Sequence, residues 1–387
     1  MYPVLKRLLS TQLQFNRPRP FDVVIYDKEG ADELLPFLTE ARTVVLDLSG
    51  RSFNLWVLLG ALARGGRSMH DYAIRYLSWV QPRLVVTCID TTPFFYRIKN
   101  AHPQIVVAAV QNGWRGIEFD LDLNRESSIE RLQADHVFCF GETAANLYRS
   151  RIDVVPIIIG SFRSNHVPVA RRATEDVVVL VSTIRPKVDL DARVLDHTGR
   201  PTVEYHTIYE RRIKLAKFVA EFCERNGLRL LIAGKDSDPS REMEMYGQAF
   251  TDSSVQWEFV PRTERLSSYT LIDQARIVVS SSSTLGYEAL ARGSRSAFFM
   301  LDPEVTNNPG ERFAWPEPFE DRGPFWTNFL DKDATMEILE FLHHLDDSAW
   351  ETLRSQFVPQ LISNDPGNSK LRLFINGVLR GTHRARG

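Results

Sequence analysis

Short apolar runs rich in valine and isoleucine alternate with helical patterns along most of this chain, and this alternation restricts the folds open to it. In the first half, six runs are typical of buried strands: Phe21–Tyr26, Thr43–Asp47, Leu84–Asp90, Ile105–Val110, His136–Phe140 and Val154–Ile159. Helical patterns lie between them, near 31–39, 53–64, 68–80, 93–101 and 143–150. Repeated strand–helix units predict an α/β fold with a doubly wound parallel sheet.

A second series of strand–helix units follows a polar, basic segment at 161–175, which we interpret as a linker. Strands are predicted at Val177–Ser182, Leu228–Ala233, Val255–Val260, Ile277–Val279 and Ser296–Leu301. Residues 186–206 look irregular, and Thr207 with Glu210 has the spacing of a capping box for the long helix that follows. Two helices are predicted near 333–345 and 347–362, before a basic tail.

The length of the chain favours more than one core. A chain of 387 residues exceeds what a single ordinary hydrophobic core supports. We therefore predict a first Rossmann-like domain over 1–162, a second over 175–345, and a helical return with a tail over 346–387.

The stretch from Arg276 to Gly293 changes period in its middle. A β-branched run is followed by hydroxyl residues, and then by apolar residues at helical spacing that end at Gly293, a favourable residue after a helix. This pattern predicts a strand, a turn and a helix whose free N–H groups form an anion site. Gly286 in the first helical turn is expected to let a ligand approach the backbone closely.

Composition and motifs exclude several classes of protein. The formal net charge of −2 argues against a general nucleic-acid or membrane partner, and three scattered cysteines look like core residues. No apolar run reaches the length of a membrane span and no signal peptide is evident, so we expect a cytoplasmic protein with at most peripheral membrane association. The fingerprints of P-loop NTPases, dinucleotide-binding enzymes, zincins and α/β-hydrolases are absent from the sequence.

Ligands of open α/β sheets bind beyond the carboxyl ends of the strands, so the residues directly after each strand are the candidates for a site. In the first series these are mainly acids and amides, namely Asp90, Gln111, Asn112, Glu142, Ser161 and Arg163. In the second they are cations and hydroxyls, namely Arg185, Lys187, Lys235, Arg262, Ser282, Ser283 and Thr284, with Glu288 one helical turn further on. The division is typical of a cleft enzyme with a phosphate donor on one side and an acceptor hydroxyl on the other.

On the donor side, we predict that Ser282, Ser283 and Thr284 bind phosphate and that Glu288 contacts a ribose. Positive charge is expected from Arg185, Lys187 or Lys235. A helix N-terminus and cations can stabilise a leaving nucleotide without a metal or other cofactor. The metal-dependent alternative is the D-x-D spacing of Asp120-Leu-Asp122, Asp189-Leu-Asp191 and Asp236-Ser-Asp238. The simplest alternative is that the serines only cap the helix and Glu288 is solvated.

On the acceptor side, a sugar hydroxyl needs a general base, and Asp90 at the end of an apolar strand is our first candidate. Glu142 is the second candidate. We expect the side chains of Gln111, Asn112 and Arg115 to orient hydroxyl groups by hydrogen bonds. The structural alternative is that Asp90 caps a helix beginning near Pro93.

Several short motifs, in this order, resemble a bacterial family of surface carbohydrate biosynthesis proteins. They are Thr87-Cys-Ile-Asp90, Ala109-Val-Gln-Asn-Gly-Trp-Arg115, Ser283-Thr-Leu-Gly-Tyr-Glu288, Gly323-Pro-Phe-Trp326 and Asp365-Pro-Gly-Asn368. The resemblance implies a GT-B-like fold: two Rossmann-like, doubly wound domains facing a cleft, with C-terminal helices packing back on the first. It also implies a nucleotide-sugar donor, and the hydroxyl pair is similar to that of transferases using CMP-linked sialic acid or Kdo.

Together these observations predict a glycosyltransferase, metal-independent, that acts on a saccharide or lipid-linked glycan in surface polysaccharide biosynthesis, such as that of lipopolysaccharide or capsule. A sugar-nucleotide epimerase or hydrolase on the same fold is the enzyme alternative. A non-catalytic subunit of a glycan assembly complex is the alternative from another class.

Overall fold

The computed structural model describes residues 12–48, 52–114, 132–170, 176–195, 200–235, 238–264, 266–317 and 319–382. Three residues or motifs singled out above fall wholly or partly outside these ranges: Arg115, the pair Asp120 and Asp122, and Asp236 of the third D-x-D motif.

The first half of the chain forms a six-stranded, all-parallel sheet in the order β3-β2-β5-β6-β7-β8. Its strands are β2 (Val23–Tyr26), β3 (Thr43–Leu46), β5 (Leu84–Thr87), β6 (Val106–Val110), β7 (Gln133–Cys139) and β8 (Asp153–Ile158). β1 (Gln12–Gln14) and β4 (Ser52–Asn54) form a separate parallel pair. The helices are α1 (Ala31–Leu34), α2 (Leu55–Leu62), α3 (Met69–Val80), α4 (Pro93–Tyr96), α5 (Ile98–Ala101) and α6 (Glu142–Arg151).

The second half forms a seven-stranded, mostly parallel sheet in the order β13-β12-β9-β14-β15-β17-β16. Its strands are β9 (Val177–Val181), β12 (Arg229–Ala233), β13 (Trp257–Val260), β14 (Ile277–Ser280), β15 (Arg295–Phe299), β16 (Arg322–Gly323) and β17 (Trp326–Thr327), while β10 (Arg193–Leu195) and β11 (Pro201–Glu204) form a hairpin. The helices are α7 (Tyr205–Asn226), α8 (Ser240–Ala249), α9 (Ser267–Gln274), α10 (Thr284–Arg292), α11 (Pro303–Thr306), α12 (Lys332–His344), α13 (Asp347–Ser355), α14 (Val358–Leu361) and α15 (Ser369–Arg380).

In each sheet the chain first builds outward from one strand and then returns to the other side of that strand. In the first sheet the chain runs from β2 outward to β3 and then returns to β5 on the other side of β2. In the second sheet it runs from β9 to β12 and β13, and then returns to β14 on the other side of β9. Loops separate at such reversals and leave a crevice beyond the carboxyl ends of the strands. The two-sheet, GT-B-like α/β prediction is confirmed, whereas the limits 1–162, 175–345 and 346–387 stay a prediction.

The C-terminal segment returns to the first sheet, as predicted. Leu371, Phe374, Ile375 and Val378 of α15 are buried in one cluster with strand residues of β2, β5, β6 and β7. The returning chain passes so close to Gly160 that a Cβ there would lie 1.9 Å from the carbonyl oxygen of Ser363. The sequence interpretation placed α15 in the basic tail, and this was wrong because Lys370, Arg372 and Arg380 drew attention away from its apolar face.

The start of α7 differs from its prediction. The helix begins at Tyr205, and its N-cap Glu204 makes no side-chain capping bond, so Thr207 and Glu210 do not form a capping box. The β10–β11 hairpin explains the earlier start, because it lies in the region predicted to be irregular and leads directly into the helix. The Tyr205 N–H is bonded to the carbonyl of Ala192, which fixes this junction.

Candidate functional site

A cleft of about 270 Å³ lies where the carboxyl ends of the two sheets face each other. Its position coincides with the reversal between β9 and β14, because residues following both strands line it. The second half supplies most of the lining, and the first half supplies Asn112 and Arg163. The polar lining includes Asn112, Arg163, Ser182, Thr183, Arg185, Arg212, Lys235, Arg262, Ser268, Tyr269, Ser282, Ser283, Thr284 and Glu288.

The N-terminus of α10 opens into this cleft. Ser283 is its N-cap, and the Ser283 hydroxyl accepts a hydrogen bond from the Leu285 N–H at 3.2 Å. Ser282 is exposed to the cleft, while Thr284 is half-buried. The positive end of a helix and three hydroxyl side chains therefore meet in this part of the cleft, which suits an oxyanion.

Gly286 has a different function from the one expected. A Cβ at this position would lie 2.4 Å from Cβ of Ser280 and 3.0 Å from the Phe298 ring. Glycine is therefore required for α10 to pack against β14 and β15, and the prediction that it admits a ligand was wrong.

Positive charge dominates the cleft. Its lining contains five cationic side chains and one carboxylate: Arg163, Arg185, Arg212, Lys235 and Arg262, with Glu288. Arg185 and Lys235 are exposed and line the cleft, whereas Lys187 lies in the turn beyond Arg185 and does not belong to the described lining. Arg163 pairs with Glu33 and Arg212 with Asp302, and all five cations line the cleft into which the N-terminus of α10 opens.

Arg212 and Tyr269 are cleft residues that the sequence interpretation missed. Arg212 projects from α7 and donates from Nε to the Thr183 hydroxyl at 2.8 Å and from Nη2 to Asp302 at 2.6 Å. Its Nη1 is buried and has no hydrogen-bond partner among the described residues. Inspecting the residues directly after each strand could not identify Arg212, because it lies within a long helix.

Glu288 is buried and held by both halves of the chain. Its Oε1 accepts a hydrogen bond from the Tyr269 hydroxyl at 2.9 Å and another from the Ser161 hydroxyl, and burial raises its pKa above the ordinary value of 4.5. Within the part of the chain that the structure describes, Oε2 receives no hydrogen bond. The ribose contact predicted for Glu288 stays a proposal, whereas the expectation that it is simply solvated was wrong.

A second contact joins the two halves at the same place. The Trp114 N–H donates to the Thr284 hydroxyl at 2.9 Å, and the Trp114 ring stacks on Tyr287 with centroids 3.8 Å apart. The loop that follows β6 thus rests on the first turn of α10. Because the Thr284 hydroxyl accepts this bond, its own proton remains available to a ligand oxygen.

The buried carboxylate of Asp90 fixes this loop by hydrogen bonds. It is 0% exposed, its Oδ1 accepts from the Asn112 N–H at 3.2 Å, and its Oδ2 accepts from the Tyr148 hydroxyl. The N-cap of α4 is Thr92, so the capping alternative for Asp90 was wrong. Neither Asp90 nor Glu142 belongs to the described lining of the cleft, and Glu142 is exposed at the first turn of α6.

Of the residues predicted to orient hydroxyl groups, Asn112 lines the cleft and Gln111 does not. Asn112 lines the cleft and its carbonyl accepts from Arg163 at 3.3 Å. Gln111 is buried, and its carboxamide bonds the Gly113 carbonyl and the Phe140 N–H. Gln111 therefore shapes the loop rather than reaching the cleft, and Arg115 lies outside the described residues.

We expect Asp90→Asn and Tyr148→Phe to reduce turnover by the same factor, within about threefold, and to lower the melting temperature, because both disturb the buried hydrogen bond between these two side chains. The Tyr148 variant is the matched control, since it leaves the carboxylate in place. Turnover of the two purified variants and their thermal unfolding provide the measurement. If Asp90→Asn is at least 100-fold slower than Tyr148→Phe, a displaced loop does not explain the loss of turnover, and Asp90 acts as the base.

We also expect Glu288→Gln to change how the free energy of unfolding depends on pH. The raised pKa keeps Glu288 protonated in the folded chain at pH values where the unfolded chain has lost the proton. This group's contribution to the free energy of unfolding therefore falls as the pH rises from about 4.5 through the raised pKa. Glutamine is neutral throughout, so the stability of the variant relative to wild type should increase with pH.

Urea unfolding at pH 4, 5, 6 and 7 tests this, with the exposed Glu40 changed to glutamine as the control. The quantity compared is the free energy of unfolding of Glu288→Gln minus that of wild type. If this quantity is constant with pH, or decreases as the pH rises, the pKa of Glu288 is not raised in the folded chain.

In the described part of the chain, none of the helices combines the length and the apolar character that crossing a bilayer requires. The described residues also include no group of three or more His, Cys, Asp or Glu side chains arranged to hold a metal ion.

Comparison with solved structures places the fold. The chain is similar to S. aureus MnaA, solved with UDP, at a TM-score of 0.54 and 12% identity, covering 96% of this chain and 97% of that one. It is also similar to the UDP-GlcNAc 2-epimerase of Methanocaldococcus jannaschii, solved with UDP-GlcNAc and UDP, at a TM-score of 0.51 and 12% identity, covering 93% and 100%. At this identity, these likenesses establish the fold alone.

No curated protein sequence matches the chain. A family model described as "putative O-antigen biosynthesis protein" matches residues 108–379, which is more than half of the chain and includes the cleft residues of the second sheet. On this match, and in agreement with the motifs that indicated surface carbohydrate synthesis, the chain belongs to that O-antigen biosynthesis family.

Proposed function

We propose that this protein is a glycosyltransferase that moves a sugar from a nucleotide-activated donor to a saccharide acceptor in surface glycan synthesis. The observation that carries the proposal is the cleft, where five cations surround the hydroxyl-rich N-terminus of α10. A donor diphosphate or phosphate presents oxygens that match these groups. Membership of an O-antigen biosynthesis family supports the same class of substrate.

In the proposed donor complex, Ser282, Ser283 and Thr284 bind phosphate oxygens together with the N–H groups of α10. Arg185 and Lys235, which follow β9 and β12 of the same sheet, supply the charge, and Glu288 accepts from ribose hydroxyls through Oε2. These groups stabilise the negative charge that develops on the leaving nucleotide, so no metal is required.

In the transfer step, the acceptor hydroxyl oxygen bonds to the anomeric carbon as the bond between that carbon and the phosphate oxygen breaks. The nucleotide leaves with the electron pair, and the hydroxyl proton passes to a base. That base must lie within hydrogen-bond reach of the acceptor oxygen.

A sugar-nucleotide epimerase or hydrolase is the second candidate. The similar structures named above include a UDP-GlcNAc 2-epimerase, and such an enzyme alters the donor with no acceptor. The same cleft could hold its substrate, so the fold does not separate the two functions.

Mass spectrometry of reactions with UDP-, GDP-, dTDP- and CMP-linked sugars separates the candidates. We expect a donor to be consumed only when an acceptor glycan is added, and in EDTA as well as in Mg²⁺. A donor altered without acceptor would support the second candidate, and binding without turnover would indicate a non-catalytic subunit. Loss of activity in EDTA with recovery in Mn²⁺ would favour the D-x-D alternative, of which only Asp189 and Asp191 are a fully described pair.

Thermal-shift measurements with CMP, UDP, GDP and dTDP identify the nucleotide independently of any acceptor. A ligand that binds only the folded chain raises the melting temperature. CMP is the nucleotide of the sialic acid and Kdo donors that the hydroxyl pair suggested.

A further inference from the structure

The first sheet has a crevice of its own that the proposed donor cleft does not use. This crevice, here called the switch-point pocket, has a volume of about 210 Å³ and is lined in part by Asp27, Leu48, His70, Ile89, Thr92 and Phe94. Asp27, Leu48 and Ile89 follow β2, β3 and β5, so the pocket lies at the reversal of strand order in this sheet. Open α/β sheets bind ligands at such reversals.

Asp27, one of the residues that line this pocket, has an unusual backbone conformation. Its φ of 78° is in the left-handed region, which residues other than glycine rarely adopt. The Glu29 N–H donates to its Oδ1 at 3.1 Å, which fixes the carboxylate next to the end of β2. Backbone conformations of this kind persist where the structure around them enforces them, and they cluster at ligand sites.

The opposite wall combines apolar and polar groups. Phe94, 39% exposed, stacks on the His70 ring with centroids 5.4 Å apart, and the Arg97 guanidinium lies 5.2 Å from the Phe94 ring centre. This stack holds the imidazole at the pocket, while Leu48 and Ile89 add aliphatic surface. Hydrogen-bonding groups and apolar surface on one pocket match a sugar ring, which has hydroxyl edges and apolar C–H faces.

The size and charge of the pocket restrict the class of ligand that it can bind. Its volume of about 210 Å³ is enough for a single sugar ring. The Asp27 carboxylate accepts hydrogen bonds from neutral hydroxyls but repels the carboxylate of an acidic sugar. A neutral monosaccharide unit is the ligand that fits these properties.

We propose that the switch-point pocket binds a neutral sugar ring of the acceptor glycan. The acceptor role rests on the proposed function, whereas sugar binding itself does not. The pocket lies at the carboxyl edge of the same sheet that sends Asn112 and Arg163 into the donor cleft, so one side of the molecule presents both sites.

The test measures sugar binding directly, by saturation-transfer NMR. The probes are the methyl glycosides of neutral hexoses, 6-deoxyhexoses and N-acetylhexosamines, with methyl glucuronide as the acidic comparison. Asp27→Asn removes the charge but keeps a residue that tolerates positive φ. Phe94→Ala removes the stack, and Asp32→Asn, which neutralises an exposed acid on α1, is the matched control.

We expect at least one neutral glycoside to bind wild type and Asp32→Asn equally. Its affinity should fall at least tenfold in Asp27→Asn, because a hydrogen bond to a charged acceptor is lost, and at least threefold in Phe94→Ala. The melting-temperature rise given by the nucleotide that binds wild type should be the same in all variants.

No binding of any neutral glycoside to wild type, binding of the glucuronide alone, or equal affinity in wild type and both pocket variants would each overturn the proposal. The nucleotide measurement keeps the two proposals apart. If no nucleotide binds but a glycoside does so through Asp27, the pocket stands as a sugar site and the transferase function fails.

Discussion

Replacing Arg292 with methionine is expected to lower the free energy of unfolding by about 3–5 kcal/mol, the usual result of leaving a buried charge without its partner. The Arg292 side chain is 1% exposed and that of Asp273 is 2% exposed. The guanidinium binds both carboxylate oxygens, at 2.7 Å and 2.5 Å. It also donates to the carbonyls of Ser164, Val167 and Pro168, so it joins α9, α10 and the segment that connects the two sheets.

Urea unfolding of Arg292→Met, Asp273→Leu and the double variant measures this effect. The double variant removes both charges, so we expect it to be more stable than Arg292→Met, even though the bond from the Ala170 N–H to Asp273 is lost as well. A loss below about 1 kcal/mol in Arg292→Met would show that water reaches this ion pair.

Replacing Arg212 with methionine is expected to raise the dissociation constant of the donor nucleotide about 10- to 100-fold, the usual effect of losing a hydrogen bond to a charged partner. Its Nε and Nη2 are held by Thr183 and Asp302, which leaves Nη1 for a phosphate oxygen. A guanidinium fixed by two partners loses little entropy when it binds a third. Isothermal titration with the nucleotide identified by thermal shift measures this effect.

Arg211 provides the matched control. It lies next to Arg212 on α7, donates to the Leu301 carbonyl at 2.7 Å, and pairs with Glu304, but it does not belong to the described lining of the cleft. We expect Arg211→Met to lower the melting temperature and to leave nucleotide affinity unchanged. Equal losses of affinity in the two variants would mean that Arg212 acts only through the stability of α7.

The architecture could be predicted because its signal is local. Runs such as Val177–Val181 and Ile277–Ser280 are buried on both faces of parallel strands, and a β-branched run in a sequence has few other uses. The turn after β14 was predictable for the same reason, since Ser283 as N-cap and Gly293 at φ 94° follow local rules of helix ends.

What could not be predicted depends on contacts between distant residues. The sequence places Asp90 at the end of a strand but does not reveal that the Tyr148 hydroxyl and the Asn112 N–H bind its carboxylate, which changes it from an open acid to a buried one. Arg212 reaches the cleft from a helix, and Glu288 meets Ser161 across 127 positions of sequence. Such pairings depend on tertiary packing, and the spacing of residue types along the sequence does not indicate them.

The return of α15 to the first sheet has a consequence for biosynthesis on the ribosome. Strand residues such as Val23, Val86 and Ala108 share one buried cluster with Leu371 and Ile375. Domains generally begin to fold while the chain is still being made, starting from the N-terminal side. Here part of one apolar face of the first sheet stays uncovered until residues 369–380 have left the exit tunnel. During that interval the nascent chain exposes apolar surface of the kind that chaperones bind.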